Sequence, residues 1–134
     1  MQDRPSRLEL LDAVRGFLEA DVIPALEGRK QFHARVAANV LAIVGRELAL
    51  AEDQLAAEWQ RLDALLGPLP MPANAEVAAG ELGRRTVDLC ERIRAGEADT
   101  GAYRRAVLDH VGATVREKLA VANPKLLAAQ KEDV

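Results

Sequence analysis

The sequence predicts an all-α fold: an up-down helical bundle of four to five main helices with a central, largely buried helix. Three observations carry this. Apolar residues recur every three or four positions through most of the chain, as one face of a helix requires. No window alternates strictly enough for a strand. Only one stretch, Leu66 to Asn74, is rich in proline, so the other connections are short and neighbouring helices run antiparallel.

The first helix starts at Ser6, because Ser6 and Glu9 have the spacing of a capping box. Leu8, Leu11, Val14, Phe17 and Leu18 give it an apolar face. It is expected to stop or bend near Pro24, with Gly28 as a left-handed cap. Gln31 to Leu50 is apolar almost all the way round, which suits the middle of a bundle. Its pattern runs on through Leu55, Trp59, Leu62 and Leu66 to a firm stop at Gly67-Pro68. One helix over that whole span would be about 54 Å long. That is about twice the width of a compact domain of radius of gyration roughly 14 Å. The expectation is therefore a break or kink between Leu50 and Gln54, the alternative being a protruding helix that pairs with a second copy. On the first reading Trp59 is core; on the second it lies on a dimer or partner surface.

Asn74 is placed to cap the next helix, which carries Leu82, Thr86, Leu89 and Ile93 on one stripe and ends at Gly96. Asp99 or Thr100 caps the last long helix, whose expected core stripe is Leu108, Val111, Val115, Leu119 and Ala122. Asn123-Pro124 ends it, and a short helical tail follows over Lys125 to Gln130.

A chain of 134 residues reads as a single domain, 1–134, able to bury roughly two-thirds of its unfolded surface without a staple. Only 3% of residues are aromatic, so the core must be built from Leu, Val, Ile and Ala. The net charge of −3 argues against a nucleic-acid partner. Cys90 is the single cysteine, which suits a reducing cytosol. The N-terminus lacks the apolar segment of a signal peptide, and the run from Val36 to Val44 is too short to span a bilayer. A cytoplasmic location without membrane contact is expected.

The chemistry-bearing motifs are few. Bundle di-iron sites use Glu-x-x-His pairs, but Lys30 precedes His33 by three and Val107 precedes His110 by three. There is no His-Glu-x-x-His, no cysteine cluster and no phosphate-cradling loop, so no metal or cofactor is expected. Cys90 reads as a small core filler. The remaining candidates are polar residues on apolar helices. Arg35, Asn39 and Arg46 share one stripe, His33 faces another side, and His110 lies in line with Tyr103, Val107 and Thr114. A pocket between the central and last helices, using His33, Arg35, Asn39, His110 and Asn123, would bind an anionic metabolite. The competing reading is a set of hydrogen bonds that fix helix register.

Phe32-His33-Ala34-Arg35-Val36-Ala37-Ala38-Asn39-Val40-Leu41 and Lys118-Leu119-Ala120-Val121-Ala122-Asn123-Pro124-Lys125 resemble an uncharacterised bacterial family of small helical proteins. Arg4-Pro5 through Val14, and Pro24-Ala25-Leu26-Glu27-Gly28, fit the same pattern. Members of that family are encoded beside aminoglycoside-phosphotransferase-like kinases and acyl-CoA dehydrogenases. The resemblance implies no catalytic residue. It implies a non-catalytic accessory protein for such a kinase or dehydrogenase. A small-molecule binder or enzyme using the pocket above, and a structural homodimer, are the other expectations.

Overall fold

The computed structural model describes residues 4–132, with side chains through residue 129. It is all-helical, as expected. Five helices follow one another: α1 (Arg7–Phe17), α2 (Gly28–Leu66), α3 (Ala75–Arg94), α4 (Gly101–Ala122) and α5 (Pro124–Glu132). The described residues divide into two compact units, one within Met1–Leu50 and one within Ala51–Val134.

In the first unit the capping box forms. Glu9 N–H donates to Ser6 Oγ (3.2 Å) and Ser6 N–H to Glu9 Oε2 (2.6 Å). Beyond Phe17 the chain continues through a wider π-helical turn, Leu18–Val22, and a last helical turn, Ile23–Ala25. Pro24 has no N–H and crowds the carbonyl four residues back, and the widened turn directly before it gives that carbonyl room. Gln31 Nε2 then donates to the Leu26 carbonyl (2.8 Å) and to the Ile23 carbonyl (3.1 Å), which also accepts the Leu26 N–H (3.3 Å). Gly28, at φ 56°, turns the chain into α2.

Two sequence expectations about α2 are corrected. It runs unbroken through Leu50 to Gln54. No glycine or proline lies between Arg46 and Leu66, and the Ala, Leu, Glu and Gln that fill this stretch are strong helix formers. The division between the compact units falls at the position where the break was expected, without interrupting the helix. Nor is the Gln31–Leu50 stretch largely buried. Ala38 is buried, whereas Phe32, Val36, Val40, Val44 and Leu48 are exposed. A unit of two helical segments can hide one stripe of each. Here Leu11, Arg15, Leu18 and Val22 are half-buried on one, and Ala34, Leu41 and Ala42 are half-buried beside the buried Ala38 on the other.

The second unit is built from the C-terminal part of α2 with α3, α4 and α5. Leu62, Leu65, Leu89 and Val107 form its core, with Leu66, Leu82, Ala98 and Tyr103 packed around them. Leu62 is fully buried, a contribution of about 1.5–3 kcal/mol relative to exposure. Trp59 is buried too, which settles it as core rather than a partner surface.

The proline-rich loop after α2 is held down by side chains. Gly67 leaves the helix at φ 98°. Trp59 Nε1–H donates to the Leu69 carbonyl (2.9 Å), and Asp63 Oδ1 accepts the Leu69 N–H (3.1 Å). Arg85, from α3, joins the same cluster. It donates to Asp63 Oδ1 and to the Gly67 carbonyl, both at 2.7 Å, and lies 5.0 Å from the Trp59 ring centre. Asn74 then caps α3, its Oδ1 accepting from Glu76 N–H (2.9 Å) and Val77 N–H (3.1 Å).

α4 is tied to α2 by Arg61, which donates to both Glu117 oxygens (2.8 and 2.5 Å), and by Gln54, which donates to the Glu117 carbonyl (3.1 Å). Thr100 occupies the N-cap position of α4, but its side chain makes no capping bond. The buried face of α4 is Val107, His110 and Val121; Leu108, Val111, Val115 and Ala122 of the expected stripe are exposed and Leu119 is half-buried.

Candidate functional site

The site begins with a run of small side chains. On α3, Ala79, Gly83, Thr86 and Cys90 recur at steps of four, three and four, so they share one face of the helix. Facing positions of ordinary size would fill the space beside such a face; small ones leave a void. A cavity of about 450 Å³ opens there, within the Ala51–Val134 unit. That volume lies in the range of small-molecule sites, which are mostly apolar with a few placed polar groups. Leu82, Leu89, Ile93, Val111 and Val115 supply its apolar walls.

The polar contribution comes from one column on α4. His110, Thr114 and Lys118 are successive four-residue steps, and all three line the cavity. His110 is buried and Thr114 half-buried, while Lys118 is exposed and Glu58, from α2, is half-buried. His110 Nδ1 and Thr114 Oγ1 are closed to solvent and have no hydrogen-bond partner. Each such atom costs about 1–3 kcal/mol. Thr86 differs, because its hydroxyl donates to the Leu82 carbonyl (2.9 Å). The His110 imidazole titrates below its ordinary value of 6.5. Burial disfavours its charged form, the Arg61 guanidinium adds repulsion, and Glu58 and Glu117 oppose these in part. His110 is therefore a neutral ring at pH 7, with one donor and one acceptor nitrogen.

Of the five residues expected from sequence to bind a ligand, His110 alone lines this cavity. His33, Arg35 and Asn39 belong to the Met1–Leu50 unit and are exposed, so water meets their polar groups and the burial that drew attention to them does not occur. The His33 ring meets Phe32 edge to face, with centroids 5.7 Å apart. Asn123 ends α4. Its N–H donates to the Leu119 carbonyl (2.8 Å) and its own carbonyl accepts from Leu126 (3.1 Å), which joins α4 to α5. Cys90 is half-buried, a cavity wall rather than a core filler. Its sequence signal was the spacing of Ala79, Gly83, Thr86 and Cys90, small residues where a helix face normally carries Leu or Val. Among the described residues no group of three or more His, Cys, Asp or Glu could hold a metal ion. No helix among them is long and apolar enough to cross a membrane.

The model of a family described as a domain of unknown function (DUF6285) matches residues 24–126. The chain belongs to this family. The DUF6285 match takes in all of α2, α3 and α4, and so every residue that lines the cavity. No curated protein and no solved structure matches the chain. The family's description assigns it no function.

Proposed function

We propose that this protein binds a small molecule in the cavity between α3 and α4. One observation carries the reading: an apolar cavity of about 450 Å³ whose lining includes His110 and Thr114, each with a buried polar atom left unpartnered. An occupant that satisfies those atoms recovers the cost of leaving them bare. Water occupies on the order of 30 Å³ per molecule, so the space suits roughly ten to fifteen non-hydrogen atoms.

Gly83→Leu tests this. A Cβ at Gly83 meets nothing within 4 Å, so the helix accepts the side chain, which then projects into the cavity. A panel of molecules of that size is screened by thermal shift and NMR against both proteins. The expected result is a ligand that binds the native chain and loses affinity on Gly83→Leu. Absence of any ligand, or ligands indifferent to the substitution, removes the proposal.

A second reading has its own support. Phe32, Val36, Val40, Val44 and Leu48 form one ridge of exposed apolar residues on α2. Such a ridge suits an accessory subunit of a bacterial, cytoplasmic assembly, with a phosphotransferase-like kinase or an acyl-CoA dehydrogenase as partner. Co-purification of such an enzyme with the native chain, lost on Val40→Glu, is the outcome this reading expects. Failure of both purified candidate enzymes to bind sets it aside.

A further inference from the structure

The chemistry of the bound group can be narrowed, on the assumption that the α3–α4 cavity is the binding site. The polar atoms without partners, His110 Nδ1 and Thr114 Oγ1, belong to uncharged side chains one helical turn apart on α4. The charged residues of the lining, Glu58 and Lys118, are opposite in sign, so the lining carries no net charge. An anion seated beside His110 would lose its water against a lining with no net charge, and burying an unpaired charge is far costlier than burying a neutral dipole. Arg61 is largely committed elsewhere: both of its terminal nitrogens are held by Glu117, and only its buried Nε has no partner.

We infer that the cavity selects an uncharged ligand, an apolar body carrying one hydroxyl or carbonyl that hydrogen-bonds to His110 and Thr114. Either group fits. The Thr114 hydroxyl donates or accepts, and a neutral imidazole presents one of each. Both atoms are closed to solvent in the empty cavity, so engaging them requires each side chain to turn about its own bonds. Burial first, and then Arg61, lowers the titration of His110, which works against the ring serving as a cation for an anionic ligand.

Three probes of nearly equal size and shape separate the terms: acetylnaphthalene, naphthoate and isopropylnaphthalene. They share the apolar body and differ in carrying a carbonyl, a carboxylate or no polar group. Titration of the native chain, followed by NMR, is expected to rank acetylnaphthalene first, with naphthoate at least about tenfold weaker. Isopropylnaphthalene should fall about three- to tenfold below the ketone, the worth of one neutral hydrogen bond. Thr114→Val, which keeps the shape, and His110→Phe should each shrink the gap between ketone and hydrocarbon while leaving the hydrocarbon bound. If His110→Phe fails to fold, Thr114→Val decides alone. Naphthoate binding as tightly as the ketone overturns the inference and leaves the cavity standing as a site. So does a hydrocarbon that matches the ketone. If none of the three binds, and the broader panel also finds no ligand sensitive to Gly83→Leu, the cavity reading itself falls.

Discussion

Arg85 is the residue whose replacement should cost this protein most for a single polar side chain. It is 5% exposed, yet it carries a full charge. Its guanidinium is satisfied by the Asp63 carboxylate and the Gly67 carbonyl, and it lies against the Trp59 ring. Arg85→Met keeps much of the volume and removes the charge. Deleting one member of a buried pair costs about 3–5 kcal/mol, because the other charge stays behind without its partner. Asp63 retains 30% exposure and keeps the Leu69 N–H as a donor, so solvent meets part of its need and the lower end applies. Loss of the cation–π contact adds about 1 kcal/mol. The Gly67 carbonyl sits at an exposed turn, where water takes the place of Arg85 at little cost. The sum is about 3–4 kcal/mol, a large share of the roughly 5–15 kcal/mol that holds a small domain together.

Urea denaturation measures it. Trp59 is the only tryptophan, so its fluorescence reports the Ala51–Val134 unit, and circular dichroism at the helical band checks that the same transition is seen. Asp63→Asn added to Arg85→Met removes the stranded carboxylate and should restore about 1–2 kcal/mol. A single Arg85→Met variant within about 1 kcal/mol of native, with no recovery in the double variant, would refute the claim that this ion pair pins the loop.

Three further outcomes follow from the same geometry. Asn74→Ala removes the acceptor for two amides at the start of α3 and should lower the urea-derived stability by about 1 kcal/mol. Gly83→Ala fills open space on an exposed helical position, so it should raise the thermal midpoint, by about 0.5–1 kcal/mol in free energy. His110 has a lower pKa folded than unfolded, so as pH falls below about 6.5 the unfolded chain takes up the proton first. Stability is therefore complete above that pH, declines below it, and levels once the folded ring is also protonated. Urea curves at about pH 7.5 and about pH 5.5 should show this loss, and His110→Gln should remove its share of it.

Much of the fold was legible because helix ends are written locally. Ser6 with Glu9, Pro24, Gly28, Gly67-Pro68, Asn74 and Asn123-Pro124 each act through the backbone within a few residues, and each acts where the sequence places it. What a helix packs against is a different kind of information. α4 offers two adjacent stripes, one with Leu108, Val111 and Val115, the other with Tyr103, Val107, His110 and Thr114. Hydrophobicity favours the first, but Leu62, Leu65 and Leu89 pack against the second. That choice depends on which partners surround the helix, and no local pattern contains it.

Arg85 shows the same gap from the polar side. An arginine between Arg84 and Thr86 on an amphipathic helix reads as solvated, and nothing within a turn of it says otherwise. Its burial is decided by Trp59, Asp63 and Gly67, residues that precede it by eighteen positions or more. The cavity follows from a similar interplay. Ala79, Gly83, Thr86 and Cys90 make a shallow face, but a shallow face becomes a cavity only when the neighbouring helix does not close upon it. α4 meets it with His110 and Thr114, whose polar atoms gain nothing from an apolar wall. Closer packing there would supply those atoms with no partner. The same two residues that make an empty cavity costly thus also remove the incentive to collapse it, and an occupant with a polar group resolves both.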